Sequence, residues 1–266
     1  MSNIRYIICF EFLGENFFGS QKQPNKRTVQ GEIEKALCTL IKDEIVKITP
    51  SGRTDAKVNA EFQIAHFDVK KEITNPDNFL YKLNCILPDD LKVFELKRVP
   101  AHFHAQKDAK YKHYRYTIVN NRVASVFSSR YLFYPYKKLN IERLNQALSH
   151  LIGHHDFTSF KSNSDNPYND CIIYYAKASQ RMIKRQNFIF IDIIGNRFLY
   201  NMIRTIVGQL LLIERQELNP NIMAEILASK NRTLAANVVD AKGLTLIYVG
   251  YDNVDDYINN LQKEGK

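Results

Sequence analysis

The chain has 266 residues, of which 45% are hydrophobic and 24% charged, a composition that excludes an intrinsically disordered or low-complexity polymer. Its 37 Lys and Arg exceed its 28 Asp and Glu, and the formal net charge of +9 fits a nucleic acid or an anionic membrane surface as partner. A spanning helix needs about 20 apolar residues, and the longest purely apolar runs, such as residues 210–213, fall far short of it.

Near the N-terminus Glu11 interrupts the apolar run and no small-residue cleavage site follows, so a cytoplasmic chain is expected. Within residues 5–13, Tyr6, Ile8, Phe10 and Phe12 recur at the period of a strand. A polar loop follows, and Thr28 then reads as the N-cap of a helix running through Lys42 on Val29, Ile33, Leu37, Leu40 and Ile41. Residues 45–49 are strand-like and lead into the turn Pro50-Ser51-Gly52, after which residues 62–69 form another strand. Phe79, Leu80, Leu83 and Leu87 mark a second helix stopped by Pro88, and strands are predicted at 91–99 and 109–119.

Residues 121–139, rich in Tyr, Ser and Lys, read as a crossing segment between an N-terminal half (1–120) and a C-terminal half (140–266). The second half holds predicted helices at 141–152, 198–214 and 221–229 and strands at 172–182, 188–194 and 244–251. Strands and helices alternate in both halves with hairpin-like strand neighbours. The fold class is therefore α+β, two units with mainly antiparallel sheets.

The four cysteines, Cys9, Cys38, Cys85 and Cys171, form no CxxC pair and read as reduced, small hydrophobes. Gly14, Gly19 and Ser20 lack the lysine of a phosphate-binding loop. His102-Phe103-His104 and His154-His155 have no further ligand at a convincing spacing, so no metal is assigned. GxSxG, HExxH and GxGxxG motifs do not occur.

The segment Ser51-Gly52-Arg53-Thr54-Asp55-Ala56 places an arginine and an aspartate two apart on a glycine-bearing turn. Such a turn presents a cation and a carboxylate to one ligand, and reads equally as a capped turn with a surface ion pair. Its continuation decides between them. Gly52–Ala56 followed by Gln63-Ile64-Ala65-His66-Phe67 resembles the active-site signature of the TruA-type tRNA pseudouridine synthases. Further blocks resemble that family in order: Gly19–Pro24 with Arg27–Gly31, Leu83–Asp90, Phe103-His104-Ala105, Lys112–Tyr116, Asp156–Phe160, Asn201–Gly208 and Gly243–Leu246.

The resemblance implies the pseudouridine synthase fold: two related α+β halves sharing a mixed, mainly antiparallel sheet, helices on one side and a central cleft. It further implies isomerisation of uridine to pseudouridine in the anticodon stem-loop of tRNA, at positions thirty-eight to forty, by a cytoplasmic homodimer. By position, Asp55 matches the catalytic aspartate, Arg204 its ion-pair partner and Tyr114 the residue stacking on the target uracil, with Arg53 and Leu244 as further substrate contacts. Read from pattern alone, Tyr114 is equally a core aromatic and Arg204 equally lies on a solvated helix face.

Pseudouridine formation breaks the N1–C1′ bond and rejoins the base through C5, so no oxidant, metal or other cofactor is demanded. A carboxylate serves as nucleophile at the sugar carbon or as base toward its 2′ proton, and the sequence leaves both routes open. A base held in an RNA stem must be extruded and restacked inside a cation-fringed pocket. Lys22, Arg27, Lys110, Lys112 and Arg115 are the candidate RNA-backbone contacts, and Arg181, Lys184 and Arg185 form another basic group.

Three positions depart from the family pattern: Lys57 stands where a glycine is usual, Asn59 where a histidine is usual, and Ser20 in place of an aromatic. Val238-Val239-Asp240 also departs from the usual run before Gly243. A glycine at position 57 supplies a positive φ that lysine adopts reluctantly. Two other readings stay open: an RNA-binding or folding factor without turnover, and the same chemistry at another RNA site.

Overall fold

The computed structural model describes residues 4–42, 45–162 and 167–264. The chain divides into two compact units, one of residues 1–110 with 246–251 and one of residues 111–245 with 252–266.

In the first unit the chain runs through β1 (Ile4–Phe12), α1 (Val29–Ile41), β2 (Ile48–Pro50), β3 (Asn59–Val69), α2 (Pro76–Ile86) and β4 (Leu91–Val99). β1 is the central strand, pairing antiparallel with β3 on one side and β4 on the other, and β2 pairs antiparallel with β3. Tyr6, Ile8, Phe10 and Phe12 are all buried, as their alternation predicts. The strand places more than that face inside, because Cys9 is buried with Ile64 and Ala105 in a second apolar cluster that Ile7, Phe62, Phe103 and Tyr251 complete. Each such large side chain removed from water contributes about 1.5–3 kcal/mol.

α1 begins where Thr28 predicts, its hydroxyl accepting from the Gly31 amide at 3.3 Å. Val29, Ile33, Ala36 and Leu37 form its buried stripe. Proline at the first turn and an Asn75 side chain that accepts from the Asn78 amide start α2 earlier than apolar spacing alone indicates. β3 likewise opens at Asn59 rather than 62, because Ala60 pairs with Phe12 across a β-bulge between Phe10 and Phe12.

The second unit contains β5 (Tyr111–Val119), β6 (Leu132–Phe133), α3 (Ile141–Ser149), β7 (Gly153–Asp156), β8 (Asp170–Ile183), β9 (Gln186–Gly195), α4 (Met202–Gln216) and α5 (Ile222–Ser229). β9 pairs antiparallel with β5 and β8, β7 continues antiparallel on β8, and β6 adds a parallel edge to β5. α3 ends before the predicted 152, since the Leu151 amide turns back to Leu148 and Gly153 follows at φ +113. α4 starts at Met202 rather than 198 because Asn201 sits in the left-handed region at φ +61. Met202, Ile203, Ile206, Val207, Leu210 and Ile213 are buried along it.

β10 (Leu244–Gly250) follows, and from Leu246 onward it belongs to the first unit, where it lies beside β3. A last helix, α6 (Val254–Glu264), belongs to the second unit. Tyr257 anchors it, its ring against Tyr111 and its hydroxyl on His113 Nδ1 at 2.9 Å, and Asp252 accepts from the Tyr111 hydroxyl. The protein is thus a mixed α+β fold, with six α-helices among the described residues. No helix among those residues is long and apolar enough to cross a membrane.

Candidate active site

The Gly52–Ala56 segment links β2 to β3 and is fastened at both ends. On the β2 side the Ser51 amide donates to the Ile64 carbonyl at 2.7 Å and the Ser51 hydroxyl donates to Gln63 Oε1. The other end of the Gln63 amide donates to the Gly52 carbonyl at 3.1 Å. Gln63 is buried, so one side chain of β3 holds the start of the turn in a site where its own groups are all satisfied. At the far end the Val58 amide donates to the Asp55 carbonyl at 3.2 Å, closing a four-residue turn around Ala56 and Lys57.

Of the departures from the family pattern, Lys57 lies in this turn, Asn59 follows it at the start of β3, and Ser20 touches it from the loop before α1. Lys57 adopts φ +68, the left-handed conformation that glycine takes without steric cost. Asn59 is buried, and its Oδ1 accepts from the Gly14 amide at 2.8 Å. Ser20 is buried too: its Oγ accepts from the Thr54 amide at 2.8 Å, while its own amide donates to the Thr54 carbonyl at 3.1 Å. Gly14 touches the same turn so closely that a Cβ would sit 2.2 Å from the Val58 carbonyl oxygen. The loop before α1 therefore clasps residues 54–59 by backbone contact and small polar side chains, which fixes the backbone that carries Asp55. Asp55 itself is half-buried and Arg53 is exposed.

In the second unit, Tyr114 on β5 is buried with its ring edge-on to Phe198 at 5.2 Å between centroids. Lys112, Tyr114 and Tyr116 share one face of β5. The Tyr116 hydroxyl donates to the Asp240 carbonyl at 2.7 Å. Burial, followed by repulsion from Arg197, lowers the pKa of Lys112 to about 8. Arg204, in the first turn of α4, donates from Nε to the Val239 carbonyl at 2.8 Å and from a terminal nitrogen to Asn201 Oδ1 at 2.7 Å. The backbone answers, the Val239 amide donating to the Arg204 carbonyl at 3.4 Å. Residues 236–240 thus lie along α4, and Gly208 permits the approach, since a Cβ there would meet the Asn237 carbonyl oxygen at 2.2 Å. Leu244, at the start of β10, is buried.

The candidate RNA-backbone cations divide into two groups. Lys110 is exposed. Arg27 forks onto Asp90 at 2.6 and 2.8 Å, also meets Glu32 and lies over the Phe17 ring. Arg115 binds Asp192, which also receives buried His113 at 2.7 Å. Lys22 is exposed along most of its length and pairs with buried Glu34 at 2.9 Å. Arg27 and Arg115 therefore order their own surroundings. Periodicity cannot reveal this, because Asp90 and Asp192 lie 63 and 77 residues away in sequence.

One histidine of each pair is taken up by local structure. His104 Nδ1 faces the amides of Gln106 and Lys107, and His155 Nε2 meets the Ile152 carbonyl. No group of three or more His, Cys, Asp or Glu that could hold a metal ion occurs among the described residues. Sequence pattern gives no role to Ser51 and Gln63, which clamp the turn, or to Phe198, whose ring packs against Tyr114.

The family model for tRNA pseudouridine synthase matches residues 8–112 and 147–252. The chain belongs to that family, and is accordingly an RNA pseudouridine synthase, an isomerase. It is 38% identical over 254 residues to tRNA pseudouridine synthase A 1 of Bacillus cereus, covering 95% of this chain and all of that one. Identity is 41% over 257 residues to tRNA pseudouridine synthase A of Anoxybacillus flavithermus (95% and 100% covered) and 36% over 251 residues to that of Clostridium acetobutylicum (94% and 100%). Among solved structures, a Cbf5–Nop10–Gar1 complex aligns with 97% of this chain and 65% of that chain, at a TM-score of 0.36 and 10% identity.

Proposed function

We propose that this enzyme converts uridine to pseudouridine in the anticodon stem-loop of tRNA, at positions thirty-eight to forty, with Asp55 as the catalytic carboxylate. The observation that carries the reading is the fastened turn at Asp55: Ser20, Ser51, Asn59 and Gln63 hold its backbone from four sides while its side chain stays half-buried. A carboxylate held in place loses little entropy on reaching its transition-state geometry. Asp55 either attacks C1′ as the N1 bond breaks or removes the 2′ proton to give a glycal. In both routes the uracil turns and C5 bonds to C1′, which releases the Asp55 carboxylate from C1′ in the first route and is accompanied by return of the proton to C2′ in the second; the C5 proton then departs and N1 takes one up, so the balance requires no external reactant.

Arg204 supplies a permanent cation that keeps a carboxylate ionised in a closed pocket. Its guanidinium is aimed by the Val239 carbonyl and by Asn201. Tyr114 offers its ring to the extruded uracil, with Phe198 holding its orientation. Arg53, Leu244, Lys22, Arg27, Lys110, Lys112 and Arg115 complete the substrate contacts of this reading, Lys22, Arg53 and Lys110 being the exposed cations among them. The enzyme works as a cytoplasmic homodimer without a cofactor. Mapping pseudouridines in tRNA from cells with and without this protein tests the site assignment. Loss confined to positions thirty-eight to forty supports it, whereas loss elsewhere in tRNA, or in another RNA, moves the same chemistry to a different uridine.

A further inference from the structure

A groove of about 650 Å³ opens in the second unit, between the segment that follows β5 and the end of the β8–β9 hairpin. Arg122, Lys138 and Arg181 line it, with Tyr136 and Lys137, and no acidic residue does. Lys137 is paired with Glu217 at 3.1 Å. Arg122, Lys138 and Arg181 are exposed and have no ion-pair partner among the described residues. Tyr136, 70% exposed, offers its ring at the same opening, and Arg215 stands 5.6 Å from that ring's centre.

The walls are built rather than incidental. Buried Asn120 donates to the carbonyls of Tyr134 and Lys137 at 3.0 and 2.9 Å and accepts from the Leu139 amide at 2.9 Å. Its backbone amide donates to the Asn187 carbonyl, and the Asn187 amide donates to Asn121 Oδ1 at 2.6 Å. Gln186 reaches from the hairpin to the Ser125 amide and the Val123 carbonyl. The hairpin closes on Lys184-Arg185, both with positive φ (+46 and +68), between the paired residues Ile183 and Gln186. Two-residue turns of this kind favour Asn-Gly. Two cations there accept backbone strain and add positive charge beside the groove.

We propose that this groove is an RNA-backbone site of the second unit, separate from the residues assigned to catalysis, in which Arg122, Lys138 and Arg181 bind phosphates and Tyr136 stacks on a base or ribose. Unpaired cations beside an exposed aromatic ring form the pattern that tracks a nucleic-acid strand. The inference rests on tRNA being the substrate, and the experiment separates the two claims.

Affinity for full-length tRNA is measured across a salt series by fluorescence anisotropy for three proteins: wild type, the Arg122→Gln/Lys138→Gln/Arg181→Gln variant, and the charge-keeping Arg122→Lys/Lys138→Arg/Arg181→Lys variant. Loss of three phosphate contacts lowers affinity roughly ten-fold or more at low salt and flattens the slope of log K against log salt by about 2–3. The charge-keeping variant retains wild-type affinity and slope, which separates lost charge from lost folding. Equal affinity and slope for all three proteins, with the wild type binding tRNA and forming pseudouridine, overturns the groove and leaves the proposed function intact. A wild type that binds no tRNA overturns the substrate reading, and the groove with it. If neutralisation abolishes binding to phosphatidylglycerol vesicles and leaves tRNA binding unchanged, the groove is a membrane site and the proposal is wrong.

Discussion

Lys57 shows how a single residue can depart from a family pattern while keeping its geometry. At φ +68 it occupies the conformation in which a Cβ crowds the carbonyl oxygen, at a cost of about 1–2 kcal/mol. Glycine removes that cost but gives the unfolded chain about 0.5–1 kcal/mol of extra entropy. Lys57→Gly is therefore expected to raise the unfolding free energy by up to about 1 kcal/mol, whereas β-branched Lys57→Val lowers it, both read from denaturant midpoints. Asn59 behaves differently, because its side chain is the partner of a buried amide. Asn59→Ala leaves the Gly14 N–H unsatisfied, and a loss of about 1–3 kcal/mol is expected. Pseudouridine formation should slow as well, since the same contact steadies the Asp55 turn. His66 carries a pH signature. Burial and the nearby Arg5 lower its pKa from 6.5 to about 4, and its Nδ1 accepts from the Ala105 amide at 3.1 Å, a bond only the neutral ring makes. Between about pH 6.5 and 4 the unfolded chain binds this proton and the folded one does not, so stability falls as pH drops through that window. The pH dependence of the denaturation midpoint should weaken in that range for His66→Gln.

At the scale of elements, the strongly patterned pieces were legible. β1 alternates, α1 has both a stripe and a cap, and α4 carries a long apolar face, and each was readable because its signal is local. β6, β7 and α6 were not. The first two have only two and four residues and exist by pairing with β5 and β8, and α6 is held by Tyr257 against residues more than 140 positions earlier. The same division runs through the site. The Gly52–Ala56 motif stands in the sequence, but its clamps, Gln63 and Ser20, become visible only when distant segments meet. Arg27 and Arg115 read as surface cations until the fold supplied Asp90 and Asp192. The contact between α4 and residues 236–240 yields a prediction at this scale. Gly208→Ala places a methyl carbon 2.2 Å from the Asn237 carbonyl oxygen, so the segment must shift and take Val239 away from Arg204. Thermal stability and turnover should both drop, while Ala at the exposed helix position Gln216 should leave turnover unchanged.

For the whole molecule, the surplus of nine positive charges now has addresses. Several cations are tied to internal carboxylates, among them Arg5 with Asp68, Arg27 with Asp90, Arg115 with Asp192 and Arg143 with Glu214. The exposed remainder, including Arg53, Lys110 and the three cations of the groove in the second unit, is what a polyanion meets. Affinity for tRNA should therefore fall steeply between 50 and 200 mM salt. Single-turnover pseudouridine formation on tRNA by wild type and Asp55→Asn, with binding measured in parallel, tests Asp55 as the catalytic carboxylate. The variant is expected to bind tRNA as the wild type does and to form no detectable product. Product at the wild-type rate from Asp55→Asn would contradict that role.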